Sequence, residues 1–166
     1  MLLEEFFDYK SELIKTLCSN KDIVRLITDC EKPKVPNHDL AYTHIFPYEY
    51  IPDIVDEGKT FICCDVDITQ VMDKTYYKPT LYIWAFTYKT KLHLPDGGVR
   101  TDELARAINN ELSGSRNYGL GTLELQSVSS FAPIKDYLGR QLVYGATDFN
   151  RPGISKKPPV NRKTRQ

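Results

Sequence analysis

The chain predicts an α+β fold: a two-layer domain with a mostly antiparallel four-stranded sheet, an N-terminal helix, one helix between two strand pairs, and an extended C-terminal arm. Three observations carry this. The first eighteen residues are amphipathic at helical spacing, two stretches rich in β-branched and aromatic residues follow one another closely, and Pro95-Asp96-Gly97-Gly98 breaks the chain before a single helix and a second strand pair. Strands joined by short links, with helices gathered on one side, give this layering.

Leu3, Phe6, Phe7, Lys10, Leu13, Ile14 and Leu17 recur at helical spacing and predict a helix over about residues 2–18. Asn20 or Asp22 can cap a short second helix carrying Ile23, Val24, Leu26 and Ile27. Between residues 29 and 57 four prolines and scattered aromatics break any period, so the spacing predicts a long excursion, and runs of that kind are often functional. Ile62, Cys64, Val66 and Ile68 then alternate with Cys63, Asp65 and Asp67, as in a strand with one wet face. The run from Thr80 to Tyr88 should pair with it as a hairpin. Both faces of that run are apolar, which predicts a central strand, covered by a helix over Leu81, Ile83 and Ala85 and by another subunit over Tyr82, Trp84, Phe86 and Tyr88.

Thr101 is the expected N-cap of the next helix, with Asp102 and Glu103 in the first turn, Leu104, Ala105, Ile108 and Leu112 as its stripe, and Ser113-Gly114 as its stop. Strands over about 121–129 and 139–149 complete a single domain over residues 1–150. Such a length buries a core without disulfides. Cys18, Cys30, Cys63 and Cys64 lack CxxC spacing, and adjacent Cys63 and Cys64 should point to opposite faces of their strand as small hydrophobes. With no secretory pattern and no membrane-length apolar run, the expectation is a soluble protein made in a reducing cytoplasm.

Residues 151–166 differ from all that precedes them. They hold six cations (Arg151, Lys156, Lys157, Arg162, Lys163 and Arg165), three prolines and no acid. The whole chain has 22 basic and 22 acidic residues, so the body is left with 16 against 22, a charge of −6 opposed to the segment's +6. Clustered cations of this kind seek an acidic protein surface or a nucleic-acid backbone.

No motif for chemistry stands out, and the expectation is a non-enzyme with no catalytic, cofactor or metal residues. Gly97-Gly98 before a helix outlines an anion site, but the spacing matches no phosphate motif and Asp102 and Glu103 would repel an anion. His38 and His44, in the proline-broken loop near Asp39 and Glu49, permit a metal site, but the dispersed spacing of His38, His44 and His93 favours surface or interface histidines. Asp65 and Asp67 share a strand face and with the 38–57 loop permit a hydrolase reading, against a solvated face. Arg100, Asp102, Arg116, Arg140, Asp148 and Asn150 sit at element junctions, suited either to subunit contacts or to clamps between the helix start and the last strand.

The run from Gly97 to Leu104, the Ile108 and Leu112 helix, the Gly119 to Leu125 strand, and Gly139-Arg140 leading to Asp148-Phe149-Asn150 resemble neck and tail-completion proteins of long-tailed bacteriophages, with the tail terminators nearest in pattern. The chain departs from the smaller terminators in its 29–57 excursion and its basic arm. The resemblance implies a homo-oligomeric ring, usually a hexamer, that caps the tail tube and offers a docking surface to head-closure proteins. Its implied partners are further copies, the tail tube protein or the sheath protein, and head-closure proteins, without membrane contact. Genomic DNA would pass through without specific binding, and the protein would reside in the virion neck after assembly in the host cytoplasm. Subunit contacts are then expected at Tyr82, Trp84, Phe86, Tyr88, Arg100, Asp102, Arg140 and Asp148, with the arm reaching a neighbour. The other reading left by the residues is a small nucleic-acid-binding module.

Overall fold

A computed structural model describes residues 3–53, 58–72, 76–118, 121–146 and 148–149. Helix α1 (Leu3–Ser19) buries Leu13, Ile14, Leu17 and Cys18. Asn20 caps α2 (Lys21–Thr28): its Oδ1 accepts from the backbone N–H groups of Asp22 and Ile23, both at 3.1 Å, which satisfies donors the helix itself cannot pair. Asp29, at φ 56°, closes α2 in the left-handed region. Helix α3 (Arg100–Leu112) starts one residue before the expected cap. Val99 occupies the N-cap position and Thr101 lies buried in the first turn, because the backbone of Arg100 is drawn into the helix start by its N–H bond to Leu92 O at 2.8 Å. Leu104, Ile108 and Leu112 form the buried stripe, and Ser113 with Gly114, at φ 77°, ends it.

Among the described residues the sheet has six strands: β1 (Ile45–Phe46), β2 (Thr60–Met72), β3 (Tyr76–Tyr88), β4 (Glu124–Phe131), β5 (Tyr137–Gly145) and β6 (Asp148–Phe149). Four are long and antiparallel, in the order β2-β3-β5-β4. Two are short: β1 runs parallel to the outside of β2, and β6 pairs with the start of β3. The central strand is β3, flanked by β2 and β5, as its doubly apolar sequence requires. Both hairpin strands outrun their expected limits, with a bulge between Ile68 and Gln70.

Helices α1, α2 and α3 occupy one face, where Ile62, Cys64, Val66, Leu81, Ile83, Leu142 and Tyr144 meet them. α1 lies over β1 and β2, and α3 over β3 and β5. The excursion over residues 29–57 is, among its described residues, a structured connection. Leu40, Ile45 and Phe46 within it are buried, and its return strand β1 extends the sheet, so the prolines interrupt periodicity without preventing packing.

Candidate interaction surface

Cross-strand register sets out the face opposite the helices. Phe61, Phe86, Gly139 and Phe131 form one row across β2, β3, β5 and β4; Cys63, Trp84, Gln141 and Ser129 form the next; Asp65, Tyr82, Val143 and Ser127 a third; Asp67, Thr80, Gly145 and Glu124 a fourth. The face therefore grades from aromatic rows to a row that carries Asp67 and Glu124, with the exposed Lys78 of β3 in the row beyond it. At the aromatic end Phe46, Phe61, Cys63, Phe86 and Tyr137 are buried, packed by Tyr50, Trp84, Tyr88 and Phe131. Tyr50 stacks on Phe46 with centroids 4.1 Å apart, so the loop after β1 covers this end. Further along, Tyr82 and Trp84 are half-buried and stacked at 5.8 Å, only 10° from parallel.

Of the four aromatics expected at a subunit contact, Tyr82, Trp84 and Tyr88 keep part of their surface, whereas Phe86 is 1% exposed and belongs to the protomer's own core. Its ring meets Phe61 and Phe131, and a glycine lies opposite it in β5. A Cβ on Gly139 would collide with the Ala85 carbonyl and sit 2.5 Å from Phe86 Cβ. Phe61, Phe131 and Tyr137 lie just outside the strands read from the sequence, and only the register shows that they share a face with Trp84.

The charged candidates separate in the same way. Arg100 is corrected from partner contact to internal clamp: it is 3% exposed, its Nε donates to Lys91 O at 2.7 Å, Nη1 to Leu26 O, and Nη2 to Asp29 Oδ1 at 2.5 Å. The guanidinium thus ties α2 to the turn before α3. Burial opposes the Asp29 charge, but the hydrogen bonds and charges of Lys91 and Arg100 outweigh it and hold the carboxyl below its ordinary value. Arg140 Nε donates to Asp102 Oδ1 at 2.6 Å, a surface clamp between β5 and α3 whose partners both stay partly exposed. Arg116 Nε donates to Thr122 Oγ1 at 2.7 Å. Asp148 lies on β6, with its side chain outside the described residues, as are Asn150 and the arm cations Arg151, Lys156, Lys157, Arg162, Lys163 and Arg165.

Asp65 pairs with Lys10 of α1, whose Nζ also donates to Pro47 O at 3.1 Å. Asp67 is exposed and holds no ion pair among the described residues. His44 Nδ1 lies 2.8 Å from Thr60 O and its ring stacks on Phe61, which gives it a packing role. Cys63 and Cys64 point to opposite faces, and burial pushes both thiols up to about 12. Among the described residues no group of three His, Cys, Asp or Glu side chains is placed to hold a metal, and no helix is long and apolar enough to cross a membrane.

The profile of the YomW family matches residues 12–146, from the buried stripe of α1 to the end of β5. The chain belongs to the YomW family. It is a phage-associated, SPbeta-like family. The matched span contains every row of the open sheet face, and the cationic segment 151–166 lies beyond it. No curated protein matches the chain.

Proposed function

We propose that this YomW-family protein is a structural component of the phage neck. It forms a ring, by analogy a hexamer, that terminates the tail tube and gives head-closure proteins their docking surface. The observation that carries the reading is the aromatic sheet face opposite the helices. Tyr82, Trp84 and Tyr88 are anchored by rings beneath and beside them yet keep surface that a second molecule can take from water. Burying the remainder of such rings is worth on the order of 1 kcal/mol each, and rigid aromatics lose little entropy on contact.

A ring needs a heterologous contact that closes on itself. The opposite charges of body and C-terminal segment suit that geometry, because each copy carries both complements. Phage membership of the family and the element order shared with tail terminators support the neck position. In this reading the partners are further copies, the tube or sheath protein, and the head-closure proteins; the protein assembles in the host cytoplasm and remains in the virion, where DNA passes without specific binding.

The test is to remove the gene from its phage and image the lysate. Filled heads and unjoined tails of irregular length are expected, with purified protein forming rings that cap isolated tubes. Normal yields of infectious particles without the protein would overturn the proposal.

A further inference from the structure

The open face has a chemistry that selects its occupant. Its third and fourth rows place Asp65 and Asp67 beside the Tyr82–Trp84 stack on one flank and Glu124 on the other. Beside Glu124, where Gly145 contributes no side chain, lies a depression of about 400 Å³ lined by Lys78, Thr122, Gln126 and Ala146. Parallel aromatic rings bordered by carboxylates fit an extended, basic, proline-containing strand: prolines stack on the rings, and cations meet both the ring faces and the acids. Residues 151–166 have that composition, with Lys156-Lys157-Pro158-Pro159 combining both elements in four consecutive positions.

We propose that residues 151–166 of one copy lie on the open sheet face of the next. Lys156 and Lys157 meet Asp67 and Glu124, and Pro158-Pro159 pack on Tyr82 and Trp84. The assignment rests on the ring reading above and names the contact that joins neighbours. The exit of the chain favours a neighbour over the chain's own face. β6 runs antiparallel to β3 with Phe149 opposite Tyr76, so the backbone departs away from Trp84. Eight residues of β3 separate Tyr76 from Trp84, roughly 27 Å at strand rise. The eight to ten residues from Phe149 to the Lys157-Pro159 segment span at most about 26–36 Å. Docking on its own face would therefore require the chain to reverse direction immediately after β6.

Equal amounts of isotope-light and isotope-heavy full-length protein, mixed and treated with a zero-length carbodiimide, test this contact. Mixed-isotope cross-links from Lys156 or Lys157 to Asp67 or Glu124 are expected. Asp67→Lys/Glu124→Lys removes the reacting carboxylates and abolishes these links, and adding Lys156→Glu/Lys157→Glu to the same chain should restore mixed-isotope links between the same positions, with amine and carboxyl exchanged, to within twofold of the parental yield. Same-isotope links alone, or no links between these positions in the doubly inverted chain, overturn the docking. Negative-stain images of the uncoupled samples separate the two readings: rings without these cross-links overturn the docking alone, whereas cross-links without closed rings support it and overturn the ring.

Discussion

Arg100 shows how much of a residue's role its neighbours decide. Three acceptors from two segments converge on one buried guanidinium, and a lysine ammonium at the end of a different stem cannot occupy all three directions. Arg100→Ala leaves Leu26 O and Lys91 O without that donor; we expect a loss of about 2–4 kcal/mol in chemical denaturation, with Arg100→Lys recovering less than half. The Asp29 part of the clamp depends on acid. Because its folded carboxyl titrates below the ordinary 3.8, its contribution is complete above that value and vanishes as pH falls through the folded one. The effect is modest, since the Asp29 side chain is 42% exposed and screened. Arg100→Ala should correspondingly flatten the acid limb of the stability curve, and an unchanged limb would contradict the pairing. The cysteines give a second expectation. Cys30 is exposed, whereas Cys18, Cys63 and Cys64 are buried with their thiols raised. A thiol reagent at neutral pH should label one site quickly and three only on unfolding. Stability conferred by the protonated Cys63 and Cys64 thiols is full below 9.0, the ordinary thiol value, and is lost as pH rises toward about 12.

Elements were legible to the extent that their faces differ in polarity. Alternation in β2 and the stripe of α3 come from one-sided burial, which writes a period into the chain. The excursion hid β1 because two residues are too few for a period, and their burial comes from pairing with β2. The Thr101 cap was misplaced because local chemistry favoured it, while a bond to Leu92, before the glycine turn, set the helix start. Two substitutions test element contacts. Asn20→Ala removes the α2 cap and the 2.7 Å bond from Asn20 Nδ2 to Glu111 of α3, and should cost about 1 kcal/mol or somewhat more. Gly139→Ala forces β3 and β5 apart under Phe86. About 2 kcal/mol is expected, which lowers Tm by roughly 4–8 °C in a chain of this size; a melt within a degree of the parent would mean that the strands yield there without strain.

For the whole molecule, opposite charges on body and C-terminal segment lead to two outcomes that differ between the readings. Protein ending at residue 150 should remain folded and soluble, since the described core lies within residues 3–149, yet fail to complete tails in a complementation assay. Infectious particles at normal levels from the truncated protein would remove the segment from assembly. Duplex DNA should bind the full chain weakly at physiological salt; tight binding that collapses steeply with added salt would favour the nucleic-acid reading instead. The amino-acid sequence alone determined the fold class, the centrality of β3, the two sides of its apolar pattern and the charge split, because burial and composition act locally or periodically along the chain. Tertiary structure alone decided that Phe86 belongs to the protomer's core while Tyr82 and Trp84 stay accessible, that Arg100 is an internal clamp, and that Asp67 and Glu124 share one row with β3 and β5 between them. Those outcomes depend on register and on which segments converge, and no stretch of sequence carries the distance between strands it has yet to meet.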